Sequence, residues 1–159
     1  MSDESAGLPG DLAKAFQLFV EVHITQMLTA NELMRVMPHQ LTLAQFGVLS
    51  HFSRHQNLSL SIVELARIFQ VSKASMGETV DKLARKGFVK IIPNPKDRRG
   101  KIVSITPKGA AARKEAEKSI YPVIAQMMKA IGSAQFDVAY QALRPIRLWL
   151  DERRSADSD

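Results

Sequence analysis

The stretch SIVELARIFQVSKASMGETVDKLARKG, residues 61–87, decides the fold. Ser61 followed three residues later by Glu64 is the start signal of a capped helix. Ile62, Leu65, Ala66 and Phe69 then recur on one helical face. QVSK, residues 70–73, reads as a tight turn. Ser72 caps the next helix, which is expected to run to Gly87, a residue suited to the left-handed conformation that ends helices. Two helices joined by so short a turn form a helix-turn-helix.

Turned by 100° per residue, the second of these helices has two distinct sides. Met76, Val80, Leu83 and Ala84 gather on one side and are predicted core. Ala74, Ser75, Glu78, Lys82 and Arg85 occupy the other, with Thr79 at its flank. Short polar side chains near the N-terminus and cations toward the C-terminus suit a helix lying in the major groove of DNA. Ser75 and Thr79 are candidates for base edges, and Glu78 for a cytosine amino group. Ser72 with the first backbone N–H groups is a candidate phosphate site. Lys73 and Lys82 are candidates for phosphate contacts, which govern affinity more than sequence choice.

Working outward, residues 88–92 read as a strand rich in Val and Ile. PNPKDRRG, residues 93–100, reads as a loop, and KIVSIT, residues 101–106, as the returning strand. A hairpin after a helix-turn-helix is a wing. Residues 93–106 hold four cations and one acid, a crowding that folding alone does not favour. Lys96, Arg98, Arg99 and Lys101 suit the negative potential of a minor groove, and Asp97 is placed to accept from the Arg99 guanidinium and hold it extended.

The charge is concentrated in the same region. Residues 72–108 carry ten Lys and Arg against three acids, a local charge of +7, while the rest of the chain holds twelve against thirteen. Such a block is an electrostatic footprint for a polyanion. Outside it, a long helix is expected up to about Val36, with Leu12, Phe16, Phe19, His23, Met27 and Met34 at helical spacing, stopped by Pro38. Thr42 and Gln45 mark the start of a further helix. Two long helices follow Thr106, with their break at GSAQ, residues 132–135, and bends expected at Pro122 and Pro145. The fold class expected is mainly α with a small β-hairpin: a winged helix-turn-helix at 41–106, with residues 1–40 and 107–159 supplying the long helices of a dimerisation domain.

Composition narrows the function. At 159 residues with 45% hydrophobic content the chain is globular. It has no cysteine, which removes disulfides, thiolate metal sites and thiol sensing. No run of 18 apolar residues is present, and the first ten residues are unlike a signal peptide, so a cytoplasmic protein is expected. None of G-x-S-x-G, Walker A or H-E-x-x-H occurs, and no enzyme activity or cofactor is expected. His23, His39, His51 and His55 are read as surface or core histidines, not as metal ligands, because no third ligand is set by spacing.

LTLAQFGVLSHF (41–52), LSIVELARIFQVSKASMGETVDKLARKGFV (60–89) and PNPKDRRGKIVSITPKG (93–109) together resemble the multiple-antibiotic-resistance-regulator (MarR) family of bacterial transcription factors. The resemblance implies a homodimer on a pseudo-palindromic operator in double-stranded DNA. It also implies a recognition helix at about 72–86, and a wing arginine, Arg99, braced by Asp97 in the minor groove. A repressor released by a small, often aromatic, ligand is the function it suggests. Phe16, His23, Met34 and Phe46 are the candidate ligand-binding residues. Two departures stand out: Ile91 and Ile92 occupy positions where members often carry arginines, and Glu78 one where a basic or small residue is common. They leave open an alternative, a winged-helix protein-interaction module that has lost DNA binding.

Overall fold

The computed structural model describes residues 10–54, 58–95 and 97–156, with the side chains of 97–99 and 155–156 outside that description. The chain divides into two compact units, one ending at Ser119 and the other beginning at Ile120.

The first unit opens with helix α1 (Gly10–Val36) and a short 3-10 turn at Pro38–Gln40, then α2 (Leu43–Arg54). Strand β1 (Leu60–Ser61) leads directly into α3 (Ile62–Ile68), α4 (Lys73–Arg85), β2 (Val89–Asn94) and β3 (Asp97–Ile105), and α5 starts at Pro107. The strands form one antiparallel sheet in the order β1-β3-β2. This is the mainly helical winged helix-turn-helix that the sequence predicts. The second unit holds the remainder of α5 (Pro107–Ile131) and α6 (Ser133–Ala156).

The helix starts follow the predicted chemistry. Ser61 Oγ accepts from the Glu64 N–H at 3.2 Å, and the Glu64 carboxylate accepts from the Ser61 N–H at 2.7 Å and from its hydroxyl at 2.8 Å. Thr42 and Gln45 make the same reciprocal pair at 3.2 Å each way. Thr106 caps α5 by accepting from the Gly109 N–H at 3.0 Å, which leaves Pro107 at the first helical position, where its missing N–H costs nothing.

The core of the first unit is built from all its layers. Val48, Leu49 and Phe52 of α2, Leu65 of α3, Met76, Val80 and Leu83 of α4, Val89 and Val103 of the sheet, and Ala112 and Ala116 of α5 are all buried. Val103 is the sheet's pivot, facing Leu60 on one side and Ile91 on the other. Alternation puts Ile91 against the core and leaves Ile92 41% exposed.

Several boundaries differ from the sequence reading. Strand β1 is absent from it, because two residues give no periodicity and only pairing with Ile102 and Val103 makes them a strand. The wing loop is much shorter than residues 93–100: β2 runs to Asn94 and β3 begins at Asp97, since a proline at a strand edge breaks no ladder bond. Helix α4 is capped at Lys86, and Gly87, at φ 74°, is the left-handed residue that ends it as the sequence predicts. The break between helices α5 and α6 is narrower than residues 132–135, being Gly132 alone. Arg153 and Arg154 lie within α6.

Two outcomes test these junctions. The Ser61 hydrogen bonds hold the Glu64 carboxyl below its ordinary value of 4.5. A depressed folded-state value means that this stabilisation is complete above the ordinary value and is lost as pH falls through the folded one. Ser61→Ala is therefore expected to cost about 1 kcal/mol near neutrality, a deficit that shrinks in urea titrations at acid pH. A Cβ at Gly109 would lie 2.0 Å from the Phe88 carbonyl oxygen, a backbone atom with little room to yield. Gly109→Ala is expected to cost about 3 kcal/mol in the same assay.

Candidate nucleic-acid interface

Helix α3 ends without glycine. Gln70 takes the left-handed conformation (φ 56°), the Val71 N–H reaches back to the Ala66 carbonyl at 3.0 Å, and the Gln70 amide caps the Arg67 carbonyl at 3.1 Å. This turn delivers Ser72, whose hydroxyl accepts from the Ser75 N–H at 3.1 Å and starts α4.

Helix α4 buries Met76, Val80 and Leu83 and leaves Lys73, Ala74, Ser75, Glu78, Lys82 and Arg85 exposed. The predicted division of its two sides is thus observed. Ser72 is exposed, and its cap uses the hydroxyl as acceptor, so its proton remains available for donation to a phosphate. Thr79 is half-buried and its hydroxyl donates to the Ser75 carbonyl at 3.0 Å, so its proton is used within the helix. Glu78 and Lys82 form an exposed pair at 4.0 Å. Such a pair is worth a few tenths of a kcal/mol, so Lys82 can exchange it for a phosphate at small cost.

The wing has a feature that the sequence reading lacks. Pro93 faces Lys101 while Asn94 faces Asp97, so Arg98, Arg99 and Gly100 are inserted on β3 as a bulge. A bulge twists and re-aims the strand that carries it, and here it carries both wing arginines. Lys101 is exposed. Lys96 lies outside the described residues, as do the side chains of Asp97, Arg98 and Arg99 and with them the expected Asp97–Arg99 brace.

At the opposite end of α4 a pocket of about 660 Å³ is lined by His39, Gln40, Lys86, Phe88, Lys108, Ala111, Ala112 and Glu115. Phe16, His23, Met34 and Phe46 do not line it. Phe16 and Met34 are 62% and 41% exposed on α1, where His23 is exposed too, and Phe46 packs against the core. Within the pocket the Lys86 ammonium donates to the carbonyls of His39 and Gln40, both at 2.8 Å, and burial lowers its pKa. Lys108 donates to the Lys86 carbonyl at 2.9 Å and lies 5.5 Å from the centre of the Phe88 ring. His39 Nε2 is 2.6 Å from the Glu115 carboxylate. Counted along the sequence, Lys86 and Lys108 belong to the cationic block. In space Lys86 directs its donors to the chain itself, and Lys108, while exposed, gives one hydrogen bond to the Lys86 carbonyl; only the position of Lys86 at a helix end hinted at this role. Among the described residues no group of three or more His, Asp or Glu side chains is placed to hold a metal ion, and His55 lies outside them.

A helix-turn-helix whose second helix presents a polar side, followed by an antiparallel hairpin, defines a winged helix-turn-helix protein. Residues 39–100 match the model of the MarR family. The multiple antibiotic resistance protein MarR of Escherichia coli is 38% identical over 74 residues, 46% of this chain and 50% of that protein. The chain thus matches about half the length of this curated relative. The crystal structure of the transcriptional regulator BldR from Sulfolobus solfataricus superposes with a TM-score of 0.74 at 25% identity, covering 87% of this chain and 99% of that one. A MarR variant from E. coli complexed with operator DNA superposes with a TM-score of 0.74 at 24% identity, covering 84% and 95%. Over residues 39–100 this chain is thus similar to the MarR family.

Proposed function

We propose that this chain is a sequence-specific DNA-binding transcriptional regulator that acts as a homodimer in the cytoplasm, represses, and is released by a small-molecule ligand. The observation that carries the reading is the exposed polar side of α4 beside a cationic hairpin, in a fold shared with a protein crystallised on operator DNA. Residues 41–106 then form the DNA-binding domain. Ser72, Lys73, Ser75, Glu78, Thr79 and Lys82 serve in the major groove, and Lys96, Asp97, Arg98, Arg99 and Lys101 in the wing.

Exposed apolar surface supports the homodimer. In the single chain no residue of α1 is buried, and Leu12, Phe16, Phe19 and Leu28 are each more than half exposed. In the second unit the same holds for Tyr121, Ile131, Val138, Tyr140, Trp149 and Leu150. Apolar surface on this scale marks an interface, and residues 1–40 and 107–159 serve as the dimerisation domain. The pocket beside Phe88 supports the ligand: its volume suits a small molecule, and it combines aromatic and alanine walls with ammonium groups.

The test is a duplex selected from a random pool, titrated by fluorescence anisotropy over a range of salt. Affinity is expected to fall linearly on logarithmic axes as phosphate contacts are screened. Arg99→Ala is expected to lose about 1–3 kcal/mol of binding with its circular dichroism unchanged. Equal affinity in the folded variant refutes the role of Arg99. Absence of any salt-dependent binding by the unmodified chain favours a protein-interaction module instead.

A further inference from the structure

The turn between α1 and α2 is held in an unfavourable conformation. His39 (φ 57°) and Gln40 (φ 52°) are consecutive non-glycine residues in the left-handed region. That geometry persists only when its surroundings over-determine it. The surroundings are two side chains from other elements. Lys86, at the C-terminal cap of α4, bonds both strained residues through their carbonyls at 2.8 Å, and its third acceptor is Gln45 Oε1 at 3.5 Å. An ammonium has three protons, so these contacts account for its whole donor capacity. Glu115 of α5 holds the same turn through the His39 ring at 2.6 Å, and that ring meets the edge of Phe88 with centroids 5.7 Å apart. All these residues lie within the first compact unit.

We propose that Lys86 and Glu115 are positioning residues for the recognition helix: they clamp the strained His39–Gln40 turn and so fix the C-terminal end of α4 to the α1–α2 junction. The proposal rests on the DNA-binding reading above. Lys86 then supports DNA affinity without touching DNA. A cation at the end of a recognition helix would ordinarily be counted as a phosphate contact, and the two roles differ in what they predict.

The experiment compares Lys86→Met, Glu115→Gln, Gln40→Gly and the Lys86→Met/Gln40→Gly pair in the full-length chain. Binding to the selected duplex is measured across salt, and thermal midpoints are recorded. Lys86→Met keeps the apolar stem and removes the donors. It is expected to weaken binding about tenfold, the size of a typical coupling, with the slope against salt unchanged. Glu115→Gln removes a negative charge yet is also expected to weaken binding. Gln40→Gly is expected to restore most of the loss in Lys86→Met, because glycine takes the left-handed conformation unaided. A slope reduced by about one makes Lys86 a phosphate contact and overturns the proposal. Tighter binding by Glu115→Gln, or no rescue by Gln40→Gly, overturns it too. If the unmodified chain binds no duplex, the functional reading fails, and the midpoints still decide the clamp. Non-additive shifts for Lys86→Met and Gln40→Gly support it, and additive shifts refute it. Should Lys86→Met fail to fold, Glu115→Gln alone and paired with Gln40→Gly provides the same comparison.

Discussion

The backbone of Gly87 and Phe88 is the joint on which the winged-helix unit depends. The Phe88 N–H closes the end of α4 on the Leu83 carbonyl at 3.0 Å, and the Phe88 carbonyl receives the Thr106 N–H at the same distance. The Gly87 carbonyl accepts from the Thr106 hydroxyl at 2.7 Å. Helix α5 begins at this point and approaches so closely that only glycine fits at position 109. Two residues thus end α4, begin the sheet and seat the following helix. An error of register here would displace α4, the wing and α5 together.

The same joint explains why the motif fragments KGFV and ITPKG occur together. Gly87 supplies a left-handed φ, Phe88 a buried ring, Thr106 a cap, Pro107 a helix start without an N–H, and Gly109 the space that lets α5 close on Phe88. Lys86 and Lys108, the cations beside these residues, extend the joint to the α1–α2 turn. The pocket lies among them, so a ligand seated there meets the groups that hold the end of α4. In the proposed reading this places the effector at the base of the recognition helix and away from its DNA-facing side.

Charge at this site divides by geometry. Lys73, Lys82 and Lys101 are exposed, whereas Lys86 donates inward to two carbonyls and Lys108, though exposed, donates to a third. The +7 of residues 72–108 remains a real field, since an ammonium bonded to a carbonyl keeps its charge. Its reach toward a polyanion is set by fewer side chains than the count implies.

The winged helix-turn-helix was legible in the sequence because its signals are local. Capping residues stand three apart at Ser61 and Glu64, apolar residues recur at helical spacing through Met76, Val80 and Leu83, and glycine marks the end of α4. The polar side of α4 was legible for the same reason, since a helix converts spacing into direction. Strand β1, the bulge under Arg98 and Arg99, the left-handed turn at His39–Gln40 and the pairing of His39 with Glu115 were not legible. Each depends on a partner that lies tens of residues away or just across a ladder, and no periodicity of the chain encodes it. By itself the sequence determined which elements form and which sides they bury. Only the tertiary structure decided where Lys86 spends its protons, because a hydrogen bond is set by distance in space and not by separation along the chain.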